Sequence, residues 1–212
     1  MSTGLLSQKN NKIKNLNRFA ELAKLGEVVF HTGDLANLWN ITNKNTLYTT
    51  IKRYVESGLL FRIHKGFYSI KEPKKVDAQL LGTKALRGNV YVSTETVLAQ
   101  EGIILQRVPA ITLVSNQSKQ FSIADHAYQS RQLSDVFLYQ SKGIVTLPNG
   151  VRIATKERAM ADLLYFNQHA YFDADAFIDW KAVRALQTEL GYPVTLKHYD
   201  WYDCATTKRC GA

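Results

Sequence analysis

The stretch from residue 40 to residue 70 constrains the fold most, because a helical pattern there passes directly into a strand pattern. Residues 40–43 (Asn-Ile-Thr-Asn) form a polar turn with good helix-capping side chains, and Gly58 is a typical helix stop. A helix is therefore predicted from this turn to Glu56. Its apolar residues fall within one arc and are expected to face a core: Leu47, Ile51, Tyr54 and Val55.

The opposite arc of this helix is almost entirely polar. At 100° per residue it turns amides, hydroxyls and basic groups outward, on Asn45, Thr46, Tyr48, Thr49, Lys52 and Arg53. In the major groove of DNA, amides, hydroxyls and Arg read base edges, while Lys contacts phosphates. These six residues form the predicted DNA-reading face.

A hairpin is predicted directly after this helix. Apolar Leu59, Phe61 and Ile63 alternate with polar residues, which is the period-2 pattern of a strand. Gly66 supplies a permissive turn residue, and residues 67–70 return as a second strand. Three polar residues near the turn are predicted to contact DNA as well: Arg62, His64 and Lys65.

Two shorter helical patterns precede these elements. The first runs from about Lys12 to Leu25, and Thr32 is expected to cap a second that ends at Leu38. The order helix, helix, turn, helix, hairpin is typical of a winged helix-turn-helix, which is the fold predicted for residues 1–75. The same order also fits a small domain whose polar face is merely solvated.

The distribution of charge favours the DNA-binding interpretation. Residues 1–75 hold 13 Lys and Arg against 5 Asp and Glu, whereas residues 76–212 hold 14 against 13. A basic surplus confined to one domain is typical of a module that binds a polyanion. Double-stranded DNA is preferred over RNA because the chain has no aromatic RNP-like motif and no GXXG loop.

The second part of the chain, residues 76–212, is predicted to be a mixed α/β domain, so that the fold class is α+β. The charged, proline-bearing run at residues 71–75 marks the boundary. Strands are expected at residues 89–93, 108–115, 119–123 and 135–139, and further strand-like runs are expected within residues 143–153, with a Pro-Asn-Gly turn at residues 148–150 between two of them. Helices are expected after the caps Thr94, Thr155 and Asp173. Phe177 is expected on the buried face of the last helix.

No catalytic or metal-binding constellation stands out, so the chain is expected to be no enzyme and to need no cofactor or metal. It lacks a P-loop, a GxGxxG loop, an HExxH helix and a nucleophile elbow. Asp173 and Asp175 open a helix, where acidic residues complement the dipole, and are therefore interpreted as capping residues rather than metal ligands. Cys204 and Cys210 have no further ligands at zinc-like spacing and are expected to be free thiols.

The sequence also predicts a cytoplasmic protein with no membrane partner. No apolar run approaches the ~18 residues that a membrane-spanning helix needs. Residues 1–15 are polar and contain no apolar region of the kind found in secretory signals.

Three runs of the sequence, residues 58–70, 90–98 and 151–165, together resemble the AbiEi family of bacterial antitoxins. Residues 58–70, which end in Lys-Gly-Phe-Tyr-Ser-Ile, are similar to the wing of that family. Residues 90–98 (Val-Tyr-Val-Ser-Thr-Glu-Thr-Val-Leu) and residues 151–165 resemble the strand-into-helix segments of its second domain. Lys156 stands where a proline commonly opens the late helix in the family, and the stretch from Val194 to Ala212 matches nothing in it.

The resemblance implies an antitoxin that also represses its own operon. The winged helix would bind inverted repeats in the promoter, and the second domain would neutralise a co-encoded nucleotidyltransferase-like toxin. Lys156, Glu157 and Arg158, expected on the exposed face of the helix from Thr155 to Phe166, are the candidate antitoxin surface. Two alternatives stay open: a winged-helix regulator without antitoxin activity, and a modifying enzyme that its winged helix directs to DNA.

Overall fold

The computed structural model describes residues 18–194, and the chain divides into two compact units, Met1–Asp77 and Ala78–Ala212. A short 3₁₀ turn, Pro73–Lys75, lies just before the division, in the charged run that the sequence marks as a boundary. Within residues 18–194, no helix combines the length and the apolar character that a membrane span requires.

In its described residues, 18–77, the first unit consists of three helices and a small antiparallel sheet. In chain order the elements are α1 (residues 18–24), β1 (Val29–His31), α2 (Thr32–Leu38), α3 (Lys44–Glu56), β2 (Phe61–His64) and β3 (Phe67–Ser69). The strand β3 lies in the centre and pairs with β1 on one side and β2 on the other. The predicted start of the first helix, at about Lys12, lies outside the described residues.

The boundaries of α3 follow from local capping chemistry. The side chain of Asn43 accepts hydrogen bonds from the backbone N–H groups of Asn45 and Thr46, at 2.9 and 3.1 Å. These bonds satisfy two of the donors that a helix leaves unpaired at its start. After Glu56 the chain turns through Gly58, whose φ of 72° suits a residue without a side chain. The predicted extent of this helix is confirmed.

The start of α2 differs from the prediction. Thr32 is the first residue of the helix rather than its cap, and the preceding His31 is the capping residue. The backbone N–H of His31 donates to Asp34 at 2.7 Å. The N–H of Thr32 donates instead to the carbonyl of Gly66 at 2.9 Å, which draws Thr32 toward the hairpin.

The core of the first unit lies between the three helices and the sheet. It buries Leu22, Phe30, Leu35, Trp39, Leu47, Ile51, Tyr54, Leu60 and Tyr68. As predicted, α3 contributes Leu47, Ile51 and Tyr54, while Val55 is half-buried against them. The alternation predicted for β2 holds less well, since Phe61 remains 36% exposed. The strand lies at the sheet edge and its pairing shifts between Arg62 and His64, which interrupts the regular alternation.

Over residues 78–194, the second unit is built around a six-stranded mixed sheet, which confirms the α+β class. The strands are β4 (Tyr91–Val92), β5 (Ile111–Ser115), β6 (Lys119–Ile123), β7 (His126–Gln132), β8 (Ile144–Thr146) and β9 (Arg152–Ala154). Their order is β6-β7-β5-β4-β9-β8, with β5–β7 and β4–β9 parallel and the other pairs antiparallel. The helices are α4 (Ala78–Ala85), α5 (Glu95–Gln100), α6 (Asp135–Leu138), α7 (Lys156–Phe166) and α8 (Trp180–Leu190).

Two expectations for this unit are wrong. The strand predicted at residues 135–139 is instead the short helix α6, which ends at Leu138 and is capped by Tyr139, because an apolar run this short fits one helical turn as well as an extended segment. Asp173 does not cap the last helix: its carboxylate accepts from the N–H of Leu105 at 2.8 Å, and Asp179 caps α8 instead. With the helix starting later, Phe177 lies in a 3₁₀ turn and is 77% exposed.

Of the other two predicted helix caps, one is confirmed and one is not. Thr155 caps α7 as predicted, since its side chain accepts from the N–H of Arg158. Thr94 precedes α5 but makes no capping bond: its φ of 53° is strained for a threonine, and its buried hydroxyl has no hydrogen-bond partner within the described part of the chain.

Candidate nucleic-acid interface

The outward face of α3 is available to a partner along its length. All six residues predicted to face DNA are exposed in the described part of the unit: Asn45, Thr46, Tyr48, Thr49, Lys52 and Arg53. The hydroxyl of Thr49 donates to the carbonyl of Asn45 at 2.8 Å, and its oxygen can still accept a hydrogen bond. The face therefore offers donors, acceptors and two positive charges from one rigid helix.

The hairpin of β2 and β3 carries the second group of candidate residues. Arg62, His64 and Lys65 are all exposed, and the turn consists of Lys65 and Gly66. The imidazole of His64 packs on the ring of Phe67, with centroids 5.1 Å apart. Because the carbonyl of Gly66 accepts from Thr32, the turn is held against the start of α2.

A groove of about 440 Å³ lies between α3 and the hairpin. One wall is formed by α3 and the other by β2, the turn and β3; its lining comprises Tyr48, Ile51, Lys52, Val55, Glu56, Arg62, Lys65, Gly66 and Tyr68. Basic side chains therefore stand on both walls. The groove brings together four of the predicted contact residues, Tyr48, Lys52, Arg62 and Lys65, whereas the other five lie outside its lining.

The electrostatics of this surface favour an anionic partner. Residues 44–70 contain five Lys and Arg and a single acidic residue, Glu56. The Nζ of Lys52 lies 3.7 Å from a carboxylate oxygen of Glu56, and the two side chains are 76% and 60% exposed. An ion pair this exposed is weak, so a phosphate can compete for Lys52. Sequence reasoning missed four groove residues, because it assigned Glu56 to the helix end, Ile51 and Val55 to the core, and Tyr68 only to the returning strand of the hairpin.

The candidate antitoxin surface in the second unit is only partly at the surface. Lys156 and Glu157 are half-buried, and the Nζ of Lys156 contacts the carbonyl of Phe177 at 3.5 Å. Arg158 has no exposed surface at all, so its expected position on the exposed face of the helix is wrong. The reason is that α7 is buried over most of its circumference and that polar partners for Arg158 come from distant parts of the unit.

A closed polar network surrounds Arg158. Its Nε donates to Asp162 at 2.9 Å, one Nη donates to the hydroxyl of Tyr91 at 2.8 Å, and the other donates to the carbonyl of Lys142 at 3.0 Å. Asp162 in turn accepts hydrogen bonds from the hydroxyls of Ser93, Tyr91 and Tyr192, at 2.8, 3.0 and 2.7 Å. Each of these polar atoms has a partner, which is the condition for burying a charge pair without a large penalty.

Burial and charge shift the proton affinities of this network. Burial, followed by the charge of Asp162, raises the pKa of the Tyr91 and Tyr192 hydroxyls. Burial, the largest single influence, lowers the pKa of Arg158, but Asp162, Tyr91 and Tyr192 together outweigh it and raise the pKa, so the guanidinium stays charged. The spacing of Arg158 and Asp162, one turn apart among apolar residues, is the signal in the sequence that could have predicted this buried pair.

Two further predictions concern metal and cysteine. Across residues 18–194, no group of three or more His, Cys, Asp or Glu is arranged to hold a metal ion. Cys204 and Cys210 lie outside the described residues.

No protein-family model matches the chain, and no curated protein sequence matches it significantly.

Proposed function

We propose that the protein binds double-stranded DNA through its first unit, which would act as a winged helix-turn-helix. The observation that carries the proposal is the basic groove between α3 and the β2–β3 hairpin, with an exposed polar helix face beside it. A helix of this kind suits the width of the major groove, and a basic hairpin next to it suits the adjacent backbone.

The two walls of the groove would contribute differently. Exposed Asn45, Thr49 and Arg53 on α3 have the chemistry to read base edges, because amides and guanidinium groups form paired hydrogen bonds with adenine and guanine. Arg62 and Lys65 on the hairpin have the chemistry of phosphate contacts, which position a protein without reading sequence.

We propose further that the protein represses its own operon and serves as the antitoxin of a co-encoded nucleotidyltransferase-like toxin. This part rests on the resemblance of three runs, residues 58–70, 90–98 and 151–165, to the AbiEi family. The sharp fall in net charge after residue 75 supports a division of labour, with DNA bound by the first unit and the toxin opposed by the second.

The deciding experiment measures DNA binding by the full chain. Fluorescence anisotropy would compare the duplex upstream of its own reading frame with a scrambled duplex of equal length. We expect binding of both at low salt, tighter binding of the upstream duplex, and a steep loss of affinity as salt rises. Absence of binding to either duplex at low salt by the folded protein would overturn the proposal.

A growth assay tests the antitoxin role. A nucleotidyltransferase-like gene adjoining this one would be expressed with the full chain or with its Arg53→Ala/Arg62→Ala/Lys65→Ala variant, both genes being under foreign promoters. We expect both proteins to rescue growth, because repression plays no part in that arrangement. If neither protein rescued growth, the antitoxin proposal would be overturned and only the regulatory function would remain.

A further inference from the structure

Glu56 occupies a place in the groove where its charge opposes that of its neighbours. It is the last residue of α3 and the single acidic residue between positions 44 and 70. It lines the groove together with Lys52, Arg62 and Lys65. A site built only to attract phosphate would have no use for a carboxylate at this position, where it also lies unfavourably at the negative end of the helix dipole.

Glu56 forms an ion pair with Lys52, which is one of the three basic residues that line the groove. The two side chains are one turn apart, with 3.7 Å between the charged atoms, and both are largely exposed. Lys52 is therefore accessible to a phosphate, but its ion pair with Glu56 must break before it can bind one. In addition, the carboxylate repels any phosphate that enters the groove, over a range of about 10 Å at 0.1 M salt.

We propose that Glu56 limits the affinity of the groove for the DNA backbone, by holding Lys52 and by repelling phosphate. The inference rests on the proposed DNA-binding function and concerns how strongly that site binds. The loss of binding free energy caused by Glu56 is the same for every DNA sequence, because phosphates carry no sequence information. Non-specific binding is thereby kept weak, while base contacts from Asn45 or Arg53 still favour the operator.

The test is Glu56→Gln in the full chain, with anisotropy measured on the upstream and the scrambled duplex between about 50 and 200 mM salt. The freed Lys52 adds one phosphate contact, so we expect the logarithmic salt slope to steepen by about one. Affinity at the lowest salt should rise about three- to ten-fold for both duplexes, and the ratio between them should stay constant, since only backbone contacts change.

Glu21→Gln is the matched control. Glu21 is exposed on α1, so this variant changes the net charge by the same amount without altering the groove. We expect a smaller gain in affinity and an unchanged salt slope. In a Lys52→Gln background, Glu56→Gln should no longer steepen the slope, because the cation that it frees is absent.

The outcomes separate the inference from the proposed function. If the wild-type protein binds and Glu56→Gln matches Glu21→Gln in affinity and slope, the inference is overturned while DNA binding stands. If Glu56→Gln weakens binding only to duplexes with a particular C·G pair, Glu56 reads a cytosine amino group and the inference is again overturned. If neither the wild-type protein nor Glu56→Gln binds, both the function and the inference fail.

Discussion

Arg158 and Asp162 face each other one turn apart on α7, with 2.9 Å between the guanidinium Nε and the carboxylate and no solvent exposure of either side chain. The pair lies where Tyr91 from β4 and Tyr192 from the segment after α8 meet the helix. It therefore connects the sheet, α7 and the end of the described chain through one charged centre. The network is a structural element of the second unit and not a surface for a partner.

Removal of one member of this pair should destabilise the protein strongly. Arg158→Met and Asp162→Asn each leave a buried polar group without its partner, which costs about 3–5 kcal/mol in comparable sites. Urea unfolding monitored by circular dichroism would measure the destabilisation. The double variant should be destabilised by less than the sum of the two single effects. Effects below about 1 kcal/mol for both single variants would contradict the buried network.

Stability should fall with rising pH above about 10, the ordinary pKa of tyrosine. Burial and Asp162 raise the pKa of Tyr91 and Tyr192 in the folded protein. In that range the unfolded chain therefore loses protons that the folded protein retains, and the free energy of unfolding declines. Tyr192→Phe should flatten this decline in pH-dependent urea titrations, whereas Tyr48→Phe, at an exposed position, should leave it unchanged.

Variants of the two walls of the groove should have different effects on DNA binding. Arg62→Ala and Lys65→Ala should weaken binding to the upstream and scrambled duplexes about equally. Asn45→Ala and Arg53→Ala should reduce the difference in binding free energy between the upstream and the scrambled duplex, by about 1–3 kcal/mol for each base that the variant no longer reads. Lys24→Ala, an exposed change on α1, serves as the control in the anisotropy assay. If only the hairpin variants altered sequence preference, the proposed orientation on DNA would be reversed.

Gly66 should be needed for the hairpin turn. Its φ of 81° is unfavourable for other residues, and a Cβ there would lie 3.4 Å from the hydroxyl of Thr32. Gly66→Ala should therefore cost about 1–2 kcal/mol in thermal unfolding and reduce DNA affinity by displacing Lys65. Gly33→Ala is the control, because its φ is ordinary, nothing lies within 4 Å, and alanine favours a helix by about 0.5–1 kcal/mol. Equal stability changes for the two variants would contradict this account of the turn.

The sequence by itself determined those features that depend on neighbours a few residues away. The extent of α3 follows from Asn43 and Gly58, which act within one turn of the helix ends. Its inner face follows from the 3.6-residue period, which also leaves the candidate DNA-reading residues exposed. The cap at Thr155 and the left-handed Gly191 after α8 are local in the same sense.

Only the tertiary structure decided which charges and apolar groups are buried. Arg158 looks like a surface residue beside Lys156 and Glu157, yet its partners Tyr91 and Tyr192 lie 67 and 34 residues away. The groove likewise exists only because the hairpin folds back beside α3. Helix periodicity and capping depend on interactions between residues close in sequence, whereas burial depends on which distant segments pack against a side chain. A pattern along the chain therefore predicts the elements but not their partners.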